Sequence, residues 1–330
     1  MDRFFVITHA KGKSAYFRFV WGDVEKYNAE IINYPVEIGN SFLEILYRIH
    51  NSSDINSIIP LPFKDVWKKY YLLKPEMLNP NDRNFIIFDS TIKYSHKYLK
   101  LLKEKYNCVI INILQDTLKV YKCGKDRKSL DKYIKEKCVD RLFSFDFEDC
   151  EKFGLEYYML YSYPGCSVKS DNLGSILYVG SCKSKSRLDC FHKVFEKLNG
   201  KCKLDFNMVG VSEEEQLYKD KISYNKMLPY DEVTKKIKEN DCLLDIVNEE
   251  QTGISLRCCE AICFNKKLLT NNTYVKKSIF YNPEYMQVFS DVNDIDIDWI
   301  KNDITVDYKY NNEFHPSNLF RILSETTIDK

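Results

Sequence analysis

No apolar run in this sequence approaches the ~20 residues that a membrane span requires. Met1-Asp2-Arg3 leads straight into a strand pattern instead of the basic and apolar regions of a signal peptide, so the expected location is the cytoplasm. An excess of charge is missing as well. Lys and Arg number 49 against 48 Asp and Glu, and neither a basic excess nor a basic face marks a nucleic-acid partner. Histidine is scarce, at five residues, and none sits in a recognisable nucleophile context, which leaves Ser-His-Asp catalysis without support. The 12 cysteines include no Cys-x-x-Cys pair and no matched zinc spacing. In a large chain without an export signal they are expected to be reduced core residues. No metal site is expected, even where Cys258, Cys259 and Cys263 share a helix. Repeats and low-complexity tracts are absent too.

What is present is an ordinary folded composition, 44% hydrophobic and 29% charged, over 330 residues, a length that predicts about two domains. Phe4 to Thr8 reads as a first strand, with His9 to Ser14 as the turn at its carboxyl end, where Lys11 and Lys13 are either anion-attracting or simply solvated. From Tyr16 to about Lys74 the pattern is mostly helical with interruptions, because Phe42, Ile45, Leu46 and Ile49 recur at helical spacing. Phe85 to Asp89 and Cys108 to Ile113 read as strands with a helix, Tyr94 to Lys105, between them. Such alternation predicts a parallel sheet. Asp89 and Asp116 lie at or just past strand carboxyl ends, so each is either a general base for a hydroxyl acceptor or the cap of the next helix; His9 stands at the same edge. Ser129 to Cys138 is a further helix, Arg141 to Phe145 a strand, and Asp146 a helix cap.

Gly165 to Gly174 is short, polar and aperiodic, the best linker, and divides the chain into an acceptor-side domain over 1–165 and a donor domain over 174–330. The second domain opens with a strand, Ile176 to Val179, and a turn carrying Lys183, Lys185 and Arg187 ahead of a helix. Gly, Ser and cations before a helix suit phosphate, and Arg187 ranks first because a guanidinium binds two oxygens at once. Strands at Leu204 to Val209 and Ile222 to Tyr224, then a helix from Tyr230 to Glu239, lead to the most informative stretch, Cys242 to Asn271. There a buried strand ends in the turn Asn248 to Gly253, which includes Gln251, and a helix follows with Ile254, Cys258, Ala261 and Ile262 on its inward stripe. Thr252 is expected to cap it and Gly253 to let a ligand reach the free N–H groups; Arg257 and Glu260 share another face. An unliganded crossover with a satisfied cap has the same pattern. Asp294 to Asp298 reads as helix capping, not as a metal-binding acid pair.

Three runs, MLPYDEVTKKIKENDCLLDIVNEEQTGISLRCCEAICFNKKLLT, FYNPEYMQVF and LFSFDFEDCEKFGLEYYMLYSYP, resemble GT-B glycosyltransferases, nearest to the bacterial enzymes of lipopolysaccharide core and capsule biosynthesis. The resemblance runs from about Arg141 onward. It implies two Rossmann-like α/β domains facing each other across a cleft, with the amphipathic tail near Phe314 crossing back to the first. It implies transfer of a sugar from a nucleotide diphosphate sugar to a glycan or lipid-linked hydroxyl, without metal or other cofactor, in the cytoplasm with peripheral membrane contact. Residue by residue, Thr252 and Gly253 would face the diphosphate, Glu260 the ribose and Arg257 the phosphates, while main-chain groups of Met227 and Leu228 would read the base. The family's best-known motif has two glutamates flanking seven residues. Here the first of those positions is Thr252, and Glu249 and Glu250 lie just before it, which leaves the stereochemistry open. A sugar-nucleotide epimerase of the same plan and a non-catalytic sugar-nucleotide-binding protein are the alternatives.

Overall fold

The computed structural model describes residues 1–8, 19–33, 38–59, 61–119, 126–162, 172–182, 184–248 and 251–325. His9, Lys11, Lys13, Lys183, Glu249, Glu250 and most of the expected linker lie outside them. The chain forms two compact units, one of Met1–Leu160 with the chain from Pro316 onward, the other of Tyr161–His315.

The first unit holds a parallel sheet in the order β2-β1-β3-β4-β5-β6. Its strands are β1 (Asp2–Thr8), β2 (Ala29–Asn33), β3 (Arg83–Phe88), β4 (Cys108–Ile113), β5 (Arg141–Ser144) and β6 (Glu156–Tyr157). Successive strand side chains point to opposite faces, and both faces here are apolar. Phe5, Ile7, Ile86, Phe88 and Ile110 join one core, while Phe4, Val6, Phe85, Ile87 and Ile111 join the other. Covering both faces is what a parallel sheet requires. The helices are α1 (Ser41–His50), α2 (Ser53–Ile58), α3 (His96–Tyr106), α4 (Arg127–Glu136), α5 (Phe147–Phe153) and, from the tail, α10 (Pro316–Glu325). Asp146 caps α5 by accepting from Asp149 N at 3.1 Å, and Gly154 ends it at φ 64°, a left-handed conformation that suits glycine. Phe320 of α10 stacks on Phe4 with ring centroids 4.3 Å apart.

One expectation is corrected here. The segment from Tyr16 to Lys74, expected to be mostly helical with interruptions, also carries a strand: Ala29–Asn33 forms β2 and pairs in parallel with β1, from Phe4 opposite Ala29 to Thr8 opposite Asn33. Ala-Glu-Ile-Ile-Asn is too short to show a period, and pairing with β1 decides its state.

The second unit has the order β12-β11-β10-β7-β8-β9, all parallel. The strands are β7 (Ser175–Ser181), β8 (Lys203–Val209), β9 (Ser223–Tyr224), β10 (Cys242–Asp245), β11 (Lys267–Thr270) and β12 (Met286–Val288). The helices α6 (Lys185–Leu198), α7 (Tyr230–Glu239), α8 (Leu256–Phe264) and α9 (Ile297–Lys301) follow β7, β9, β10 and β12. Ile176, Tyr178, Phe206, Met208, Leu244 and Leu269 pack with Leu188, Phe191 and Phe195 of α6. Each such side chain contributes roughly 1.5–3 kcal/mol of transfer free energy. Asp296 caps α9 by accepting from Asp298 N and Trp299 N, and Asp294 Oδ2 accepts from Asp291 N, so these two carboxylates serve the backbone. No helix among the described residues is long and apolar enough to cross a membrane.

Lys267 opens β11 with its side chain inside the unit. Its Nζ donates to the carbonyls of Ile300 and Asn302, each at 2.7 Å, and lies 3.0 Å from Asp241 Oδ2. The charge thereby ties the end of α9 to the sheet. Lys267→Met keeps most of the stem and removes the charge; it is expected to lower the unfolding free energy by about 3–5 kcal/mol. Urea denaturation checks this, and an unchanged midpoint would show that the carbonyls and Asp241 do not depend on it.

Candidate functional site

From β7 the chain passes to β8 and β9 on one side of the second sheet, then returns to β10 on the other. The connections after β7 and β10 therefore leave the carboxyl edge in opposite directions and open a crevice, the place where open α/β sheets bind ligands. Two helix N-termini converge on it. Ser184 caps α6, its Oγ accepting from Arg187 N at 3.2 Å, and Ser255 caps α8, its Oγ accepting from Cys258 N at 3.0 Å. Ser184 Oγ also donates to Asn248 Oδ1 at 3.4 Å, joining one loop to the other. The far side is pinned from the end of β11: Asn271 Oδ1 accepts from Val247 N at 2.8 Å and Asn272 Nδ2 donates to the Gly253 carbonyl at 2.9 Å.

Thr252 is thus not the helix cap. It is buried three residues earlier, and the first turn of α8 begins at Leu256, because Ser255 takes the extended conformation (φ −76°, ψ 162°) that lets its hydroxyl reach back to Cys258. Gly253 lies before the cap, with its carbonyl engaged by Asn272. Gln251 is half-buried and its N–H donates to Asn248 O at 3.0 Å. A serine three residues ahead of Cys258 carries the same capping signature as Thr252, so the sequence held the signal for either.

Arg187 lies one turn into α6, half-buried, and its Nε finds no hydrogen-bond acceptor among the described residues. The Tyr178 hydroxyl is buried beside this guanidinium. Gly180 makes room for it, since a Cβ there would stand 2.6 Å from the Tyr178 oxygen. Lys185 is exposed and pairs with Asp189 at 3.0 Å. Met227 is exposed and Leu228 half-buried in the link between β9 and α7.

Arg257 and Glu260 do not lie on a solvated face. Both are buried and form an ion pair with each other. Arg257 Nη2 donates to the Val179 carbonyl at 3.0 Å, reaching from α8 across to β7. Tyr230 OH donates to Glu260 Oε1 at 2.8 Å, and the Tyr161 hydroxyl lies 2.7 Å from that of Tyr230. Burial pushes the Glu260 carboxyl up, and the Arg257 charge opposes this. Asp245, at the end of β10, is the second buried acid. It accepts from Thr270 Oγ1 at 3.1 Å; burial raises its pKa, while the Ser255 hydroxyl and then the Arg187 charge pull it back. Asp245, Tyr230, Ser184, Ser255 and the two asparagines escaped sequence reasoning, because a polar residue inside a strand or turn shows its importance only through its partners. Cys258, Cys259 and Cys263 are buried, and burial raises each thiol pKa.

In the first unit the same topological rule puts the switch between β1 and β3. Asp89 stands there, fully buried, with Trp21 Nε1 donating to its Oδ2 at 2.8 Å. Its Oδ1 and the neighbouring Thr8 hydroxyl have no hydrogen-bond partner among the described residues. Burial pushes the carboxyl up to about 7, partly offset by Thr8 and Trp21. Asp116 is half-buried and accepts from Thr117 N at 3.0 Å, a local turn contact. Asp89 and Asp116 belong to the first unit and the residues of the β7/β10 crevice to the second, and His9 is outside the described residues.

No protein-family model matches the sequence, and no curated protein does. Solved structures of similar fold exist. A UDP-forming α,α-trehalose-phosphate synthase from Burkholderia vietnamiensis is 12% identical with a TM-score of 0.52, over 98% of this chain and 94% of that one. Anabaena HepE, in complex with UDP and glucose, is 10% identical at 0.51, over 98% and 100%. A putative UDP-N-acetylglucosamine 2-epimerase from Listeria monocytogenes is 10% identical at 0.50, over 99% and 98%. The likeness is one of fold: two Rossmann-like α/β domains, the GT-B class.

Two expectations follow. Glu260→Ala leaves Arg257 buried without its acid and is expected to cost about 3–5 kcal/mol of stability in denaturant unfolding, with Glu260→Gln costing less. A variant of native stability that loses only nucleotide affinity would instead make Glu260 a ligand contact. For Asp89 the folded pKa lies above the unfolded one, so the folded state holds the extra proton and stability falls as pH rises from the ordinary carboxylate range to about 7. The loss amounts to a few kcal/mol, at about 1.4 kcal/mol per unit of displacement. Asp89→Asn is expected to flatten this part of the profile in urea titrations between pH 4 and pH 8; matching wild-type and variant slopes would refute it.

Proposed function

We propose that the chain is a glycosyltransferase that moves a sugar from a nucleoside diphosphate sugar to a hydroxyl of a cell-surface glycan precursor, working in the cytoplasm at the inner face of the membrane. The observation that carries this reading is the meeting of two serine-capped helix N-termini at the β7/β10 switch, with the half-buried Arg187 guanidinium in the first turn of α6 and its buried Nε without an acceptor among the described residues. Helix N–H groups and the positive end of the dipole favour an anion, and a guanidinium adds a fork that matches phosphate oxygens. These groups offset charge as it develops on the departing diphosphate, without reorganising. Thr252, Gly253 and Gln251 contribute the loop wall, Lys185 a mobile second cation, and main-chain groups of Met227 and Leu228 the contact to the base. Arg257 and Glu260 act from beneath by holding α8 in place; a ribose contact from Glu260 would require its carboxylate to leave Arg257 and Tyr230.

The donor head group is proposed to be uridine diphosphate, which the trehalose-phosphate synthase and the HepE complex both carry in their names. The acceptor hydroxyl must lose a proton, and Asp116, Asp89 and His9 are the candidate bases by residue type. The epimerase of similar fold favours a second reading, conversion of a UDP-sugar without any acceptor.

Thermal shift with UDP, other nucleoside diphosphates and UDP-sugars tests the donor site, since a ligand bound only by the native state raises its stability. Arg187→Ala is expected to weaken UDP binding about 10-fold or more, whereas Asp296→Ala leaves it unchanged. Transfer is expected to persist in excess EDTA. Absence of any nucleotide-induced shift refutes the donor site; UDP-sugar turnover that needs no acceptor replaces transferase by epimerase.

A further inference from the structure

Two lysines withdrawn from solvent have contrasting surroundings. The buried Lys267 amine is held by two carbonyls at 2.7 Å and by Asp241 at 3.0 Å, as an ammonium group requires. Lys137, just past the end of α4, has far less. It is half-buried, forms no ion pair among the described residues, and its Nζ meets one acceptor, the Tyr94 carbonyl, at 3.5 Å. The neighbouring charge that acts on it most strongly is another cation. Lys64, which opens the 3-10 segment Lys64–Tyr70, is half-buried as well and lies near enough for the two ammonium groups to repel.

Contacts that neither amine makes bring them together. The Tyr133 hydroxyl, one turn before Lys137, donates to Asn112 Oδ1 at 2.9 Å and accepts from Ile92 N at 3.5 Å, which fixes α4 against the end of β4 and the loop between β3 and α3. At the end of that loop Ser95 Oγ donates to the carboxylate of Asp65, the residue after Lys64. Removing an ammonium group from water without an acid to pair it favours the neutral amine. Burial, followed by the Lys64 charge, brings Lys137 down to about 8, with Glu136 and Cys138 acting in the opposite sense. About half of the amine is therefore uncharged at pH 8. Glu136 also bears on Lys64, but its exposed carboxylate lies 3.7 Å from Lys132. From α3 and the loop before it the facing groups are His96, whose Nδ1 lies 2.9 Å from the Glu136 carbonyl, and the buried, uncharged Tyr94 phenol.

We propose that Lys137 is a site of reversible carbamylation by carbon dioxide, with Lys64 as the counter-cation. The lone pair of the neutral Lys137 nitrogen forms a bond to the carbon of CO2, one C=O electron pair moves onto oxygen, and the nitrogen releases a proton to solvent, leaving a carbamate anion. Loss of CO2 needs that proton back on nitrogen. The carbamate nitrogen keeps one hydrogen for the Tyr94 carbonyl, and its two oxygens give Lys64 the anionic partner it lacks. Repulsion between two cations thus becomes attraction between the 3-10 segment and the end of α4. An inorganic anion between the same lysines would need both of them charged, whereas CO2 consumes the neutral form that the surroundings favour.

Both lysines belong to the first unit, so the proposal is independent of the donor-site reading and the two fail separately. Carbon-13 NMR of the full chain equilibrated with 13C-bicarbonate at pH 8, followed by alkylation of the carbamate and peptide mass mapping, tests it. A carbamate resonance that maps to Lys137 is expected. Lys137→Met is expected to remove it, and Lys64→Met to lower its occupancy about 10-fold, the effect of losing a charge-assisted hydrogen bond. Both variants keep most of the side-chain stem, so native circular dichroism is expected. Bicarbonate is expected to raise the melting temperature of the wild type but not of Lys137→Met, because a group added only to the native state stabilises it. Absence of the resonance overturns the proposal. So does label confined to another amine, such as the α-amino group of Met1, which lies 3.2 Å from Asp82. Occupancy indifferent to Lys64→Met, or an equal stabilisation by phosphate at matched ionic strength, also overturns it.

Discussion

Two arginines lie against the carboxyl edge of the second sheet, and burying them requires acids in fixed positions. An unpaired guanidinium removed from water costs several kcal/mol, whereas one matched by a carboxylate and by carbonyls is tolerated. Arg257 meets this condition through Glu260 and the Val179 carbonyl, and Asp245 lies close enough to both Arg187 and Arg257 for its own ionisation to feel them. Satisfying the charges fixes geometry. Arg257 must reach from α8 to β7, so the two strands at the switch are held together by a side chain as well as by their ladder. Glu260 must also meet Tyr230, which fixes the first turn of α7 against α8.

Upon this base the crevice is assembled from short polar contacts. Ser184, Asn248, Asn271 and Asn272 join the ends of β7, β10 and β11, and the glycine at position 180 lets the Tyr178 ring fold close to the strand that carries it. The consequence is geometric: the serine-capped N-termini of α6 and α8 both stand at the β7/β10 switch, joined by the contact of Ser184 with Asn248. The first unit places Asp89 at the same topological position but gives it a different environment. Burial lowers its acidity there, and the indole N–H that meets it, carrying no charge, opposes this only in part. Position in the fold is shared between the units; the chemistry at that position is set by what surrounds it.

The surface of α1 and the segment after it obeys the opposite logic. Its helix pattern is as regular as that of α6, yet Phe42 and Ile49 face outward while Leu188, Phe191 and Phe195 are buried against β7 and β8. An amphipathic pattern defines a stripe, and whether that stripe becomes core depends on what the fold brings against it.

The sequence by itself determined the elements whose side-chain period is strong. The runs Phe85 to Phe88, Cys108 to Ile113 and Leu243 to Val247 read as strands buried on both faces, and their alternation with helices pointed to a parallel sheet and the two-domain α/β class. Resemblance pointed to the loop after β10 as a donor site. The tertiary structure decided what local pattern cannot contain. It turned Ala29–Asn33 into a strand by pairing it with β1, moved the cap from Thr252 to Ser255, and withdrew Arg257 and Glu260 from the surface into a buried pair. In each case competing local states differ by about 1 kcal/mol or less, while pairing with a neighbouring strand, or the desolvation of a charge that must find its partner, is worth more and is settled by residues far away in the chain.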